Sequence, residues 1–163
     1  MTLATSAERN LSSGTGNLPK GGFNALVPEL DVTDIEESLR FWCGLLGFEV
    51  AYDRPQAKFA YLQREGAQVM LCQINRNWEV GPLERPFGRG INFQIAASAI
   101  DPIVSALKSA GWPLYREPYE ACYRLGDSIE SRSREFLVQD PDGYLIRFAQ
   151  SMGRRTIGSQ PEP

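Results

Sequence analysis

The chain has 163 residues, of which 42% are hydrophobic and 23% charged, so it carries enough apolar material for one folded core. The formal net charge of −3 argues against a nucleic-acid-binding surface, which needs a basic footprint. Because the chain contains no histidine, imidazole metal sites and the Ser-His and Cys-His nucleophile systems are also excluded, while a carboxylate site for a hard cation stays possible.

The N-terminal part of the chain predicts a tail followed by an edge strand. Residues 1–22 are rich in Ser, Thr, Gly and Asn without periodic apolar positions, which is typical of a flexible tail. Residues 23–32 then predict a strand. Because Pro28 has no N–H to donate, this strand is expected at a sheet edge or crossing between subunits.

A helix and three strands complete a first module. Asp34 predicts the helix N-cap with Glu37 as its capping-box partner, and Gly47 predicts the helix C-terminus. Three strands follow, at residues 48–53, 59–64 and 67–74. Residues 23–74 therefore predict a β-α-β-β-β module.

The same order of elements repeats after a connector at residues 75–90. A strand at 91–97 precedes a helix that begins at Asp101-Pro102 and ends at Gly111, because proline suits the first helical turn and glycine the C-terminus. Three further strands complete a second β-α-β-β-β module over residues 91–150; the first lies at 112–117, and the other two flank the turn Asp140-Pro-Asp-Gly. A long polar loop is predicted at 118–132, and a second flexible tail at 151–163.

The last strand carries a charge that needs an explanation. Strand periodicity places Tyr144, Ile146 and Phe148 on one face, and Leu145 and Arg147 on the other. Arg147 could contact a ligand, pair with a buried carboxylate, or lie on a solvated edge.

The cysteines and the apolar segments indicate the cellular compartment. Cys43, Cys72 and Cys122 form no C-x-x-C pair, which predicts reduced thiols rather than a disulfide framework or a zinc site. No apolar run approaches the roughly 18 residues of a membrane span. The first residues also lack the apolar segment of a secretory signal. We therefore expect a cytoplasmic protein that contacts no membrane.

The two modules, with VPELDVTDIEESLRFWCGLLGFEV in the first and REFLVQDPDGYLIRF in the second, resemble the vicinal oxygen chelate superfamily. That superfamily includes glyoxalase I, extradiol dioxygenases, fosfomycin resistance enzymes and bleomycin resistance proteins. The resemblance covers about residues 24–150 and implies an α+β fold in which curved mixed sheets surround a crevice.

Metal-dependent members of the superfamily place their metal ligands at four recurrent positions. The corresponding residues here are Val27, Ile91 or Asn92, Cys72 and Arg147, and none is histidine or a carboxylate. A fixed cation at Arg147 would repel a divalent ion. The resemblance thus implies no metal, no cofactor and no catalytic residue.

Among the members without a metal, the bleomycin resistance proteins are the most similar, through VP on the first strand, FW and LGF along the helix, and REF before DPDG. The resemblance implies a homodimer that sequesters bleomycin-type glycopeptide drugs, or a similar planar aromatic molecule, without modifying them. It also implies exchange of the N-terminal strand between subunits about Pro28. The ligand-binding residues predicted in this way are Tyr52, Phe59, Cys72, Phe93, Arg132 and Arg147.

Two positions depart from that group. Arg132 stands where the family has a stacking tryptophan, and Ala51 stands where a crevice aspartate is usual. Both changes oppose a cationic drug and favour a different, even anionic, aromatic ligand. Two alternatives therefore stay open: a glyoxalase- or dioxygenase-like enzyme, and a binder of another small aromatic metabolite.

Overall fold

The computed structural model describes residues 14–157, and its strands form two mixed sheets. The strands of the first sheet are β1 (Thr15–Gly16), β2 (Glu29–Val32), β3 (Glu49–Arg54), β4 (Phe59–Arg64) and β5 (Ala67–Gln73). Those of the second sheet are β6 (Asn92–Ala96), β7 (Leu114–Arg124), β8 (Ile129–Gln139) and β9 (Leu145–Thr156). Helix α1 (Ile35–Leu39) continues as a π-helical turn (Arg40–Leu45), and helix α2 spans Asp101–Ser109. The predicted α+β fold is confirmed.

Both sheets are built by the same strand order. In the first, β2 runs parallel to β5, and β5, β4 and β3 are antiparallel neighbours. In the second, β6 runs parallel to β9, and β9, β8 and β7 are antiparallel neighbours. The parallel pairs require crossover connections, which the two helices supply. The short strand β1 extends the first sheet by pairing with β3.

Local sequence signals set the helix ends. Asp34 accepts hydrogen bonds from the backbone N–H groups of Glu36 at 2.9 Å and Glu37 at 3.1 Å, which satisfies two of the free donors of the first turn. Gly47 and Gly111 follow the two helices with φ of 73° and 68°, the left-handed conformation that glycine adopts without strain.

One apolar core lies between the two sheets and the helices. Leu62 and Leu71 from the first sheet and Phe136 and Phe148 from the second are fully buried in it, together with Trp42. Phe136 and Phe148 stack with ring centroids 5.4 Å apart. Because this core uses one face of each sheet, the opposite face of each sheet remains for other contacts.

The turn predicted at Asp140-Pro-Asp-Gly joins the second module to the first. Asp142 is buried and accepts hydrogen bonds from the N–H of Thr33 at 2.9 Å and from its hydroxyl at 2.6 Å. Arg85 lies 2.8 Å from the same carboxylate. Asp140, also buried, accepts from the indole N–H of Trp42 at 3.3 Å.

The strand predicted at residues 23–32 is wrong over its first six residues. Only Glu29–Val32 pairs with β5, and the carbonyl of Pro28 accepts from the N–H of Met70 at 2.8 Å just before it. The N–H of Asn24 instead donates to the side-chain oxygen of Gln68. The edge position expected from Pro28 is confirmed, since β2 is the last strand of its sheet in the described part of the chain.

The polar loop predicted at residues 118–132 is also wrong. β7 continues to Arg124 and β8 begins at Ile129, so a short turn connects two long strands. Cross-strand contacts such as the Arg132–Glu120 ion pair, at 2.9 Å, hold this polar extension together.

Both predicted tails include residues that the structure places in strands. Thr15 and Gly16 belong to β1, and β9 extends to Thr156, where it pairs with Ile129. Residues 1–13 and 158–163 lie outside the described residues, and so do the tail predictions made for them. Across residues 14–157, no helix is long and apolar enough to cross a membrane.

Candidate functional site

An aromatic cluster lies on the face of the first sheet opposite the main core, and most of its residues are buried. Tyr52 on β3 and Tyr61 on β4 are register partners and stack with centroids 5.1 Å apart and planes 19° apart. Phe59 lies on the same face, 6.0 Å from Tyr52. With Cys72 of β5, these residues are called the aromatic face below. The guanidinium carbon of Arg54 lies 3.8 Å from the Phe59 ring centroid, a cation–π contact that covers that ring.

Residues 14–26, called the N-terminal strap below, cross the aromatic face. Phe23 lies edge-on against Tyr61 at 5.5 Å and against Tyr52 at 6.4 Å. Gln68 fixes the strap beside this contact by donating to the carbonyl of Gly22 at 2.8 Å. Tyr61 is only 2% exposed, so a ligand that stacks on it has to displace Phe23.

Carboxylates of the edge strand border the aromatic face. Asp31 of β2 is the register partner of Cys72, and Glu29 lies two residues earlier on the same strand. Burial raises the pKa of Glu29, and Asp31 raises it further, while Arg54 lowers it. Burial also raises the pKa of Asp31, with a further contribution from Glu79. Because the charge of Asp31 raises the pKa of Glu29 and the charge of Glu79 raises that of Asp31, this border is a region of negative potential.

Cys72 lies beneath this acidic border as a protonated thiol. Burial is the largest cause that raises its pKa, and the charges of Glu29 and Asp31 act in the same direction. The side-chain amide of Asn75 donates to the sulfur at 3.3 Å. Because the thiolate is the reactive form of cysteine, this residue is suited to packing rather than to nucleophilic chemistry.

The free face of the second sheet carries a polar network centred on Glu135, which is 1% exposed. Its carboxylate accepts from the hydroxyls of Ser133 at 2.7 Å, Tyr119 at 2.8 Å and Tyr123 at 3.2 Å. Burial acts to raise the pKa of Glu135, but these hydrogen bonds and the charge of Arg147 outweigh it and lower the pKa. Glu135 is therefore a satisfied, ionised carboxylate.

Arg147 occupies the same face, as the strand periodicity predicts. Its Nη1 atom lies 3.7 Å from Glu135 Oε2 and 3.5 Å from the hydroxyl of Tyr123, and its Nη2 atom donates to Gln94 Oε1. Of the three roles that the sequence left open, the structure assigns Arg147 the pairing with a buried carboxylate. Glu135, Arg147, Gln94, Tyr119 and Tyr123 are called the polar face below.

The six predicted ligand residues do not meet in one site within the chain. Tyr52, Phe59 and Cys72 share the aromatic face, whereas Arg147 belongs to the polar face. Phe93 packs against the main core, 6.3 Å from the ring of Tyr144.

Arg132 lies apart from the other five, on the extension of β8, where it is paired with Glu120. Sequence reasoning missed Tyr61, Phe23 and Glu135 as members of these faces. Tyr61 was detectable, since it alternates with Phe59 along one strand. Nothing local in the sequence pointed to Phe23 or Glu135, because their contacts come from distant strands.

The donor atoms on these faces do not fit a divalent metal ion. Val27 offers no side-chain donor, Cys72 is a protonated thiol, and Arg147 is a cation. Within residues 14–157, no group of three or more cysteine or carboxylate side chains is placed to hold a metal.

Comparisons with known proteins relate the chain to one superfamily. The family model "Glyoxalase/Bleomycin resistance protein/Dioxygenase superfamily" matches residues 24–148. A probable lactoylglutathione lyase of Vibrio cholerae serotype O1 is 24% identical over 127 residues, which are 75% of this chain and 86% of that protein.

Two solved structures illustrate the similarity. A member of the same superfamily from Vibrio splendidus 12B01 is 37% identical, with a TM-score of 0.37, and the match covers 76% of this chain and 95% of that one. A virulence protein from Salmonella typhimurium is 25% identical, with a TM-score of 0.57, and the match covers 78% of this chain and 96% of that one. The latter supports the assignment of the fold.

Proposed function

This chain belongs to the glyoxalase/bleomycin resistance protein/dioxygenase superfamily, and we propose that it binds a planar aromatic small molecule of the bleomycin type and sequesters it unchanged. The observation that carries the proposal is the aromatic face, where stacked tyrosines lie beside the carboxylates of an edge strand. Flat rings bind by stacking on such residues, and a cationic group is attracted by the adjacent negative potential.

The proposal includes a homodimer, because the stacking energy of one aromatic face is smaller than the binding free energy that sequestration requires. Each aromatic stacking contact contributes about 0.5–1.5 kcal/mol, so two rings on this face supply roughly 1–3 kcal/mol. Micromolar binding requires about 8 kcal/mol. A second wall is therefore needed to enclose the ligand, and we propose that the polar face of a second copy supplies it. In such a dimer, Arg147 and the aromatic face would contribute to one crevice.

The protonation and hydrogen bonding of Cys72 and Glu135 favour binding of the ligand without chemical change. The Cys72 thiol has a raised pKa, and Glu135 is an ionised carboxylate whose oxygens already accept three hydroxyls. The chain has no histidine, so the carboxylates of Glu29 and Asp31 beside the aromatic face have no Ser-His or Cys-His nucleophile system to work with.

Isothermal titration calorimetry with metal-free bleomycin tests the proposal. We expect saturable binding with one drug molecule per chain, weakened by added salt because exposed charges are screened. Tyr52→Ala is expected to lower the affinity about tenfold, the equivalent of about 1.4 kcal/mol. Tyr115→Ala is the matched control, since Tyr115 is an exposed tyrosine on β7 outside both faces. Absence of heat at micromolar drug and low salt would contradict the proposal for this drug.

A lyase activity is the second candidate, and the similarity to the probable lactoylglutathione lyase favours it. Such an activity would have to proceed with Val27, Cys72 and Arg147 at the metal-ligand positions of the superfamily, and these side chains do not fit a divalent ion. An assay for lactoylglutathione lyase activity, with and without added divalent metal, separates the two proposals. Turnover that depends on metal would support the enzyme and contradict simple sequestration.

A further inference from the structure

A cleft distinct from the aromatic face lies at the seam between the two modules. It has a volume of about 290 Å³ and is bordered by the beginning of β5 and by β6. The register of β2 with β5 begins at Met70, so the preceding residues of β5 lack that neighbour. β6 is likewise an edge strand of the second sheet, and the cleft opens beside these two strands.

The cleft has an apolar floor made by the main core. Trp42, Phe48, Val69 and Ile95 form this floor, and each is buried. Trp42 and Phe48 pack edge to face with centroids 5.1 Å apart, and because they are only 1% and 4% exposed they close the bottom of the cleft without offering a ring face to a ligand. A molecule in the cleft would therefore contact the outer edge of the core and would lie between the two strands that border the cleft.

The rim of the cleft is polar but carries no charge. Four carboxamide side chains contribute to it, those of Asn24, Gln68, Asn92 and Gln94, and no acidic or basic residue is part of the lining. Transfer of a charged group into a site without a counter-charge is costly, so this lining selects for a neutral ligand.

The free hydrogen-bonding groups of the rim are concentrated on β6. Gln68 is already engaged, because it accepts from Tyr61 and from Asn24 and donates to Gly22. Gln94 Oε1 accepts from Arg147, which fixes the orientation of that amide and leaves its NH₂ group as a donor. Within residues 14–157, neither this NH₂ group nor the Asn92 side chain has a hydrogen-bond partner.

We propose that this cleft binds a small, neutral, planar molecule with an amide or lactam edge. The ring would lie in the cleft between the beginning of β5 and β6, above the buried floor, and its carbonyl would accept from the NH₂ group of Gln94. The carboxamide of Asn92 can both donate and accept, and so matches the adjacent N–H of such an edge. A volume of about 290 Å³ suits one or two rings. This site goes beyond the sequestration proposed above, although it shares Gln94 with the polar face.

The experiment is an NMR titration of the full-length ¹⁵N-labelled protein with three small probes. Benzamide and 2-pyridone carry the amide or lactam edge, and benzoate is the charged analogue of benzamide. We expect both amides to shift the side-chain amide signals of Asn92 and Gln94 saturably at millimolar concentration. Benzoate is expected to bind at least tenfold more weakly.

Two variants and one control sharpen the test. Asn92→Ala removes free rim groups at an exposed position and is expected to weaken benzamide binding at least fivefold. Asn92→Asp places a charge on the rim without changing the size of the side chain, and it is also expected to weaken benzamide binding at least fivefold. Asn77→Ala, at an exposed position outside the cleft, should change nothing.

Three results would overturn the proposal. The first is the absence of saturable shifts at Asn92 and Gln94 in the unaltered protein. The second is equal binding of benzamide and benzoate, which would mean an unselective apolar surface. The third is a set of shifts that follows protein concentration instead of probe concentration, which would mean that a second copy covers the cleft. Because bleomycin is not a probe here, each result is independent of the calorimetric test of sequestration.

Discussion

Phe23 lies edge-on against Tyr61, with ring centroids 5.5 Å apart and planes at 77°. The chain thus places a ring of its own on the face proposed to stack on a ligand. Phe23 is itself 57% exposed, and the strap beside it is held by hydrogen bonds that join Gly22 and Asn24 to Gln68. Gly21 and Gly22 precede Phe23 with φ of 81° and 84°, a conformation that other residues rarely adopt. The strap therefore competes with any stacking ligand.

Replacement of Phe23 by alanine should strengthen ligand binding. Two edge-to-face contacts are lost, and at about 0.5–1 kcal/mol each their removal raises the affinity for bleomycin roughly five- to thirtyfold. Calorimetry measures this change. Leu26→Ala is the control, because Leu26 is an exposed strap residue without a ring contact. Weaker binding by Phe23→Ala would mean that Phe23 is part of the ligand site and does not compete for it.

Replacement of Gly16 by alanine should detach the strap at its other end. Gly16 has φ of 120°, and a Cβ atom there would lie 2.7 Å from Tyr52 Cα and against the carbonyl oxygen of Ala51. The N–H of Asn17 donates to that same carbonyl at 2.9 Å. Hydrogen exchange of the Asn17 amide is therefore expected to accelerate at least tenfold.

Gly81→Ala serves as the control for this change, since a Cβ atom at Gly81 meets nothing within 4 Å. An unchanged exchange rate at Asn17 in Gly16→Ala would show that β1 tolerates the side chain.

Elements with local signals were predictable from the sequence. The cap at Asp34, the glycines after both helices, and the alternation around Arg147 depend on neighbours in the chain, and the structure contains all of them. β4 even has its predicted bounds, Phe59–Arg64.

The features that escaped prediction depend on distant contacts. The extension of β7 and β8 is rich in Arg, Glu and Ser, which have no strong strand preference. Ion pairs such as Arg155–Glu130, at 2.9 Å, and the hydroxyl contacts of Glu135 stabilise it, and they join strands that only the fold brings together. The contact of Phe23 with Tyr61 is of the same kind. For this reason the candidate site was less predictable than the fold.

Asp140 makes the stability of the fold depend on pH in an unusual direction. Burial is the largest cause that raises the pKa of Asp140, to about 6, although the hydrogen bond from Trp42 opposes it. The folded state holds this proton more tightly than the unfolded state, so protonation of Asp140 stabilises the fold. This stabilisation is complete below the unfolded pKa of 3.8 and is lost as the pH rises through about 6.

Lowering the pH from 7.5 to 5 should therefore stabilise the protein, relative to Asp140→Asn, by about 1–1.5 kcal/mol. Urea unfolding of both proteins at the two pH values measures the difference. Parallel behaviour of the two proteins would contradict the raised pKa.

Removal of the Glu135 carboxylate should be among the most damaging changes in the second sheet. Glu135→Ala leaves the hydroxyls of Tyr119, Tyr123 and Ser133 without their acceptor and Arg147 without its counter-charge, and the expected loss in the free energy of unfolding is about 3–5 kcal/mol. Glu135→Gln keeps one acceptor oxygen and should lose less. Glu120→Ala breaks only an exposed pair with Arg132 and should cost about 0–1 kcal/mol.

The pH dependence of this contribution distinguishes the charge from the shape of the side chain. The pKa of Glu135 is lowered in the folded state, so its stabilisation is present above the unfolded pKa, near 4.5, and is lost as the pH falls through the folded value. Urea unfolding between pH 3 and pH 7 should therefore show the difference between wild type and Glu135→Gln shrinking toward acid. If the difference in unfolding free energy stays constant across this range, the side chain stabilises the fold only through contacts that a neutral side chain of the same shape also makes. Its charge would then contribute nothing to the network with Arg147.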